Sequence, residues 1–296
     1  MKKIVGLGAC VYDTLISCDK YPEEDTKQMA ESVFVSGGGP VGNALVVASK
    51  LGVKTEVIGA FANDDAGKYL IEDFKKYGVK TDSVRIVDGA RSFTSYIVLS
   101  QDTKTRTCIF DKGNVPDEPN TINLSAIRGA AILHLDGNYI KSAICAAKFA
   151  KAHGVKTSLD AGGLYNGIER LLPYIDILIP SAEFIKGFTK ETDIKTAMKK
   201  ISSLYSPEVL VVTNGADGGY YSDNGEILHY NGIKVNAVDT NGAGDTFHGA
   251  FLAAYLGGKS IGECCEFASK VAAFKCMNKG VRTLDFAKNF IENFNN

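Results

Sequence analysis

The sequence has no excess of charge of either sign and no long apolar run. Its 296 residues include 33 Lys and Arg against 34 Asp and Glu, which gives a formal net charge of −1. Nucleic acids and anionic membranes attract strongly basic faces, so neither is predicted as a partner. No apolar run approaches the roughly 18 residues of a membrane span, and the opening segment MKKIVGLGACVYD is too short for a signal peptide. We therefore expect a cytoplasmic protein.

Cysteine pairs of the C-x-x-C type are also missing. The seven cysteines are scattered and odd in number, which argues against both a disulfide framework and a zinc site. Cys264 and Cys265 are adjacent, but they fall in a helical pattern where neighbouring side chains point to different faces. We expect most of the cysteines to be small core residues.

The chain contains no linker, low-complexity tract or repeat of solenoid period, which argues against a repeat scaffold. Hydrophobic residues make up 45% of the sequence, enough for one large buried core. The sequence therefore predicts a single domain over residues 1–296.

Short apolar runs alternate with helical patterns along most of the chain. Glycines at 52, 78 and 154 follow helical patterns as C-terminal stops before new strands. Buried β-branched strands that alternate with helices predict an α/β fold with a mostly parallel sheet covered on both faces. The predicted strands are KIVGLGA, TEVIGAF, AAILHLD, KTSLDA, IDILIPS and VLVVTNG.

Two segments break this alternation. Residues 91–112 alternate like an antiparallel hairpin with Asp102 and Thr103 at the turn, and residues 14–36 are typical of irregular chain plus a strand. The apolar side of this hairpin would be exposed, and exposed edge strands favour pairing between chains. We therefore expect a homodimer joined through these segments.

The segment DTNGAGDTFHGA, from Asp239 to Ala250, points to a specific chemistry. Gly242 and Gly244 allow close approach of a ligand to the backbone, and Asp245 falls where a helix begins. A helix N-terminus can hold an anion while a carboxylate beside it takes a proton from a hydroxyl, as phosphoryl transfer requires. A Gly-rich turn in which Asp245 merely caps the helix is the alternative. His248, three residues further on, either contacts a substrate or makes a structural hydrogen bond.

The same segment resembles the C-terminal signature D-T-x-G-A-G-D of the ribokinase-like (PfkB) sugar kinases. A second signature of that family resembles GGGPVGNALVVASKLG, in which Gly38, Gly39 and Asn43 hold the matching positions. The nucleotide loop T-x-G-x-x-G of the family resembles TNGADGG, with Thr213 and Gly215 at its start and Gly218 at its end. The three motifs follow in the family order, and the resemblance extends from residue 4 to about residue 282.

The resemblance implies a three-layer α/β/α sandwich with a small β-sheet lid, formed by segments 14–36 and 91–112, over the sugar. It also implies that ATP with Mg²⁺ lies across the nucleotide loop. The γ-phosphate would point at Gly242, Ala243 and Gly244, and Asp245 would deprotonate the sugar hydroxyl.

Other residues acquire sugar-binding roles from the resemblance. Asp13, at the end of the first strand, would bind sugar hydroxyls together with the GGGPVGN motif, although a turn-capping role is the alternative. The neighbouring GLGACV also resembles the start of a dinucleotide fingerprint, but Val11 occupies the third glycine position. An NAD enzyme is therefore not expected.

Metal handling departs from the family pattern. Many members carry N-x-x-E near the phosphates, whereas this chain has Ser181 and Phe184 at those positions, with Glu183 adjacent. Glu183 and Asp160 are candidates to hold Mg²⁺ through water. Asp239 and the segment NKGVR, which begins at Asn278, resemble the two loops that hold a monovalent cation, so K⁺ is a further candidate. We also assign Asn278 to the nucleotide site.

The resemblance does not decide the sugar. The segment around Asp25 looks like ketohexokinase, which favours a neutral ketose such as fructose. Other segments resemble sulfofructose kinase, and Lys27 stands where kinases of anionic fructose derivatives place a lysine. Asn138 replaces a second cation expected for such substrates. A nucleoside kinase and a non-catalytic sugar sensor remain as alternatives.

Overall fold

The computed structural model describes residues 2–103 and 105–283. The remaining residues of the domain predicted over residues 1–296 lie outside this description. In the described residues, no helix combines the length and the apolar character needed to cross a membrane.

A nine-stranded sheet forms the centre of the molecule. From one edge to the other its strands are Glu226–Tyr230 (β15), Gly219–Asp223 (β14), Val209–Thr213 (β13), Ile177–Pro180 (β12), Lys156–Ala161 (β11), Ile132–Leu135 (β10), Lys3–Leu7 (β1), Lys54–Val57 (β4) and Val79–Lys80 (β6). The seven strands from β13 to β6 are parallel, and β14 and β15 add an antiparallel edge. The mostly parallel sheet predicted from the sequence is thus confirmed.

Helices cover both faces of this sheet. Successive strand residues point to opposite faces, so Ile4 packs into one apolar cluster and Val5 into the other. The helices are Pro40–Lys50 (α1), Asp65–Lys76 (α2), Ile140–Ala152 (α3), Ala182–Thr189 (α4), Ile194–Tyr205 (α5), Ala243–Leu256 (α6) and Ile261–Cys276 (α7). Short 3-10 helices span Pro119–Thr121, Leu124–Ile127, Ile168–Arg170, Leu172–Tyr174 and Gly215–Asp217. The cluster around Ile4 includes residues of α1, α2, α6 and α7, and the cluster around Val5 includes residues of α3, α4 and α5.

The predicted helix stops are confirmed by the backbone. Gly52, Gly78 and Gly154 follow α1, α2 and α3 with φ angles of 86°, 75° and 68°. These angles lie in the left-handed region that glycine adopts without a steric penalty. Each of the three helices therefore ends where the sequence predicts.

A second, separate sheet has four strands. They are Ser32–Gly38 (β3), Val11–Cys18 (β2), Thr94–Ser100 (β8) and Arg106–Asp111 (β9), in that spatial order. Strands β8 and β9 form the predicted hairpin, and the backbone N–H of Asp102 in its turn donates to the carbonyl of Asp19 over 2.8 Å. The four strands lie in or beside the two segments that we expect to form a lid.

The predicted strand TEVIGAF is divided in the structure. Gly59 adopts a φ of 122°, which turns the chain out of the central sheet after β4. The following residues, Gly59–Ala62 (β5), pair with Val84–Val87 (β7) in a small two-stranded sheet. In the sequence, the apolar run TEVIGAF gives no sign of this division other than Gly59.

Candidate active site

Helix α6 begins on the glycine pair of the DTNGAGD motif. Gly242 caps the helix with a φ of 75°, and its carbonyl accepts hydrogen bonds from the N–H and the hydroxyl of Thr246. A Cβ on Gly244 would meet nothing within 4 Å, so the backbone is open on this side. The first N–H groups of a helix lack intrahelical partners and can bind an anion. The loop thus has the geometry of an anion hole.

Asp245 lies in the first turn of α6, where its carboxylate accepts a hydrogen bond from Nδ2 of Asn43 over 2.8 Å. Burial raises the pKa of Asp245, and the nearby carboxylate of Asp160 raises it further. The hydrogen bond from Asn43 opposes both effects because it stabilises the ionised form. This carboxylate can accept a proton beside the anion hole.

Arg282 connects the two motifs that meet at Asp245, whereas sequence reasoning considered it only as the last residue of the NKGVR segment. Its Nε donates to Oδ1 of Asn43 over 3.1 Å, and its Nη2 donates to the carbonyl of Gly38 over 2.9 Å. Its Nη1 lies 2.6 Å from Asp73, and the guanidinium stacks on Phe74 at 4.8 Å. Because Arg282 is almost fully buried, this network fixes the orientation of the Asn43 amide.

Asp13 lies on β2 of the four-stranded sheet and faces the same region, so its expected position at the end of the first strand was wrong. Its Oδ1 accepts a hydrogen bond from the hydroxyl of Ser95 over 2.6 Å, and burial raises its pKa to about 6. A Cβ on Gly38 would lie only 1.8 Å from Oδ2 of Asp13, and Gly39 has a φ of 87°. Gly38 is thus required by close packing against the Asp13 carboxylate, whereas Gly39 is required by its positive φ and by the carbonyl of Ala9, 2.4 Å from where a Cβ would lie.

Asp136, at the end of β10, is a further carboxylate that sequence reasoning missed. It accepts hydrogen bonds from the N–H groups of Ala9 and Asn138 over 2.6 and 2.9 Å, and burial raises its pKa to about 6. The carbonyl of Asn138 in turn accepts a hydrogen bond from Nζ of Lys112 over 2.7 Å. The ammonium group of Lys112 therefore lies beside Asn138. Lys112 comes from the end of β9 and not from the core position at which the sequence analysis expected a cation.

Asp25 and Lys27 lie in the irregular chain between β2 and β3. Both side chains are exposed, and Asp25 adopts a φ of 57°. Their assignment to the sugar stays a prediction.

A cavity of about 590 Å³ lies between the nucleotide loop and helices α6 and α7. Thr213, Gly215 and Gly218 line one side of it, and Ala243 and Gly244 line another. Apolar residues supply most of the remaining wall, as a planar aromatic base requires. They are Tyr230, Ile233, Val235, Ala237, Phe247, Ala272 and Ala273. Asn278 lies just beyond α7, where its side-chain amide donates to the carbonyl of Phe274 over 2.8 Å.

The altered N-x-x-E segment forms the start of α4. Ser181 caps this helix by accepting a hydrogen bond from the N–H of Phe184, and Phe184 itself is buried in the core. Glu183 is exposed in the first turn. Because Ser181 bridges to Thr213 in the neighbouring strand, Glu183 lies near the nucleotide loop.

Asp160 is buried at the end of β11, where its Oδ1 lies 3.3 Å from Nε2 of His248. Burial alone would raise the pKa of Asp160, but the charges of His248 and His134 and the hydrogen bond from His248 hold it below its ordinary value. Nε2 of His134 and Nδ1 of His248 have no hydrogen-bond partner among the described residues. His248 therefore makes the structural hydrogen bond, and the metal role of Asp160 stays a prediction.

Asp239 is buried at the start of the DTNGAGD loop. Its Oδ2 lies 2.9 Å from Nζ of Lys275 and accepts a hydrogen bond from the N–H of Gly280 over 2.9 Å. Its backbone carbonyl accepts a second hydrogen bond from Lys275 over 2.6 Å. Burial lowers the pKa of Lys275, and the negative charge of Asp239 opposes this shift.

The chain is similar over nearly its full length to several known kinases. An ATP-dependent ribose-1-phosphate kinase of Halopiger xanaduensis is 26% identical over 286 residues, which cover 96% of this chain and 95% of that protein. A ketohexokinase of Mus musculus is 25% identical over 299 residues, with 94% and 97% covered. The structure of an Arabidopsis thaliana ribokinase complexed with ribose and ATP has a TM-score of 0.82 and 28% identity, with 95% and 94% covered. Residues 1–287 match the family described as pfkB family carbohydrate kinase, so the resemblance and the ribokinase-like fold inferred from the motifs are confirmed and the chain belongs to this family.

Proposed function

We propose that this kinase transfers the γ-phosphate of ATP to a hydroxyl group of a small neutral ketose such as fructose. The observation that carries the proposal is the Asp245 carboxylate at the N-terminus of α6, next to an open glycine backbone and a large apolar cavity. Base, anion hole and nucleotide cavity lie together at the carboxyl ends of the parallel strands, near Asp160 of β11 and Thr213 of β13. Phosphoryl transfer depends mainly on such positioning and on electrostatic stabilisation.

In the proposed reaction, Asp245 takes the proton of the sugar hydroxyl as its oxygen attacks the γ-phosphorus. The bond between that phosphorus and the β,γ-bridging oxygen breaks, and ADP leaves. The N–H of Gly244 stabilises the negative charge on the transferred phosphoryl group, and the N–H of Ala243, which makes a long 3.3 Å hydrogen bond to the carbonyl of Thr240, turns toward the same group. Asn43 keeps the carboxylate of Asp245 aimed at the hydroxyl, and Asp13 accepts hydrogen bonds from other hydroxyls of the sugar.

Mg²⁺ would neutralise the charge of the triphosphate. This ion keeps several of its waters and needs only one or two protein carboxylates near the phosphates. Glu183 fits that role because it is exposed beside the nucleotide loop. Asp160 fits less well because its carboxylate is buried against His248.

A second candidate substrate is an anionic sugar such as sulfofructose or a phosphosugar. The observation that favours it is the ammonium group of Lys112, which donates to the carbonyl of Asn138 and so supplies a cation beside that residue. Lys27 would be the second cation, from the exposed chain between β2 and β3. The similarity to a ribose-1-phosphate kinase supports an anionic acceptor, and the similarity to a ketohexokinase supports a neutral one.

The experiment that tests the proposed function is a screen of ADP release with purified protein. The panel contains ketoses, aldoses, sulfosugars, phosphosugars and purine nucleosides, each with ATP and Mg²⁺. We expect the highest kcat/KM with a ketohexose. Preference for a nucleoside would contradict the proposal, and ATP turnover that no acceptor stimulates would favour a non-catalytic sugar sensor.

We also propose that two copies of the chain associate through the outer face of the four-stranded sheet. Cross-strand pairing places Tyr96 beside Ile109, and Val33 lies on the same face. The three side chains are 52%, 62% and 62% exposed. An exposed apolar sheet face with an open β9 edge favours pairing with an identical surface.

A further inference from the structure

Lys275 of α7 is fully buried beside the anion-hole loop, with 0% of its surface exposed. A buried lysine is costly unless its charge is paired and its N–H groups have acceptors. Both conditions are met by Asp239, whose carboxylate and backbone carbonyl lie 2.9 and 2.6 Å from the ammonium nitrogen. The ammonium therefore joins α7 to the first residue of the DTNGAGD motif.

The oxygens of Asp239 have other partners as well. Oδ1 accepts the N–H of Asn241, and Oδ2 accepts the N–H of Gly280 in addition to the lysine. Asp239 thus connects the anion-hole loop, through Asn241, to the chain after α7, through Gly280. The same two segments were the ones expected from the sequence to hold a monovalent cation.

The residues present do not fit such a cation. K⁺ at Asp239 would need the oxygens that already accept from Lys275, and it would lie next to a buried positive charge. Arg106 and Lys279 line the adjacent cavity together with Asp239, which adds two more positive charges nearby. Nothing in this arrangement favours a second small cation.

We propose that the ammonium group of Lys275 takes the place of the monovalent cation, so that catalysis by this kinase is independent of K⁺. Lysine supplies a compact positive charge with three N–H donors, and here it is covalently held beside the loop. It orders the carbonyl and carboxylate of Asp239 and, through them, the turn that leads to Gly242. This inference rests on the proposed kinase function.

The test compares the protein in tetramethylammonium buffer with and without 100 mM KCl. Wild-type kcat/KM for the best sugar of the screen is expected to change less than about twofold. The Lys275→Met variant keeps the volume but removes the charge, so its activity should fall at least about tenfold without K⁺ and recover in part with it. Lys259→Met, an exposed lysine just before α7, is the matched control and should behave like the wild type.

Two readouts do not depend on turnover, so a failure of the proposed function would not affect them. K⁺ should leave the thermal midpoint of the wild type unchanged and should raise that of Lys275→Met. Crystals of the wild type soaked in Tl⁺ should show no anomalous peak at Asp239. Activation of the wild type by K⁺ of more than about fivefold, a Tl⁺ peak at Asp239, or full activity of Lys275→Met without K⁺ would each overturn the proposal. If Lys275→Met does not fold, the wild-type salt and Tl⁺ measurements decide alone.

Discussion

Asn43 donates a hydrogen bond of 2.8 Å to Asp245, a residue 202 positions later in the chain. The pair brings the GGGPVGN motif of the N-terminal half into direct contact with the general base that we propose. Arg282 fixes the other end of the Asn43 amide, so the amide can present only its N–H groups to Asp245. This contact gives Asn43 a positioning role in addition to the sugar contact expected from the sequence.

Replacement of Asn43 by alanine should raise the pKa of Asp245. The hydrogen bond from Asn43 lowers that pKa, so its loss raises it. Because a general base is active only above its pKa, the acidic limb of the pH profile of kcat should move to higher pH. Loss of a charge-assisted hydrogen bond of about 1.5 to 3 kcal/mol corresponds to a fall in kcat of about 10- to 150-fold at neutral pH.

The control for this variant is Asn63→Ala, which removes a similar amide-to-carboxylate bond to Asp88 on the surface. Its pH profile should match that of the wild type. An unchanged profile for Asn43→Ala would show that the contact with Asp245 does not matter for catalysis.

Asp13→Asn should stabilise the fold and weaken sugar binding. The pKa of Asp13 is about 6, above the ordinary value near 4, so the folded state holds the proton more tightly than the unfolded state. Ionisation of Asp13 in the folded protein therefore lowers the free energy of unfolding. This loss is complete above about pH 6 and absent below about pH 4. We expect the variant to be more stable at pH 7.5 by about 1 to 3 kcal/mol, with the difference vanishing as the pH falls to 4.

Denaturant unfolding at several pH values measures this difference, and KM for the sugar should rise in the same variant. Ser95→Ala is a useful comparison because it removes the hydroxyl that donates to Asp13 but leaves the charge. It should destabilise the protein. A less stable Asp13→Asn protein at pH 7.5 would contradict the assignment of a costly buried charge.

The parallel sheet, its covering helices and the hairpin were predictable because each depends on local patterns. Strand periodicity, the glycine stops at Gly52 and Gly78, and the DTNGAGD motif are all readable within a few residues. The site was less predictable wherever it depends on long-range contacts. Arg282 and Lys275 are ordinary charged residues in the sequence, and only the fold brings them to Asn43 and Asp239.

Residues that look alike in the sequence also differ in their hydrogen-bond partners once they are buried. Asp136 directly follows β10 and Asp160 lies near the end of β11, but the first accepts two backbone N–H groups whereas the second pairs with His248. Residue spacing carries no information about these partners. For the same reason the cation beside Asn138 was missed, since Lys112 follows β9 of the separate four-stranded sheet.

The charge of the substrate is tested with Lys27→Ala and Lys112→Ala. For the neutral ketose that we propose, both variants should keep kcat/KM for fructose within about twofold of the wild type. For an anionic sugar, loss of a partner in a closed site costs about 2 to 3 kcal/mol, or about 30- to 150-fold in kcat/KM. Lys20→Ala, another exposed lysine close to this chain segment, is the control. Variants that fail only on sulfofructose, together with wild-type preference for that sugar, would contradict a neutral substrate.

Association through the outer sheet face is tested with Ile109→Lys. A charge at the centre of an apolar interface should convert the proposed dimer into a monomer, because the charge would be desolvated without a partner. Light scattering at micromolar concentration measures the mass. Leu204→Lys places the same charge at an exposed apolar residue of α5 and should leave the dimer intact. A wild-type protein that is monomeric at this concentration would refute the proposed association.

The most direct test of the proposed mechanism is the turnover of Asp245→Asn with saturating ATP and sugar. Asparagine keeps the shape and can still accept the hydrogen bond from Asn43, but it cannot take the proton of the hydroxyl. Asp65→Asn, which alters an exposed carboxylate in the first turn of α2, is the control and should retain full activity. We predict that Asp245→Asn binds ATP within about threefold of the wild type while kcat falls by about 10² or more. Turnover near that of the wild type would contradict the role of Asp245 as the base.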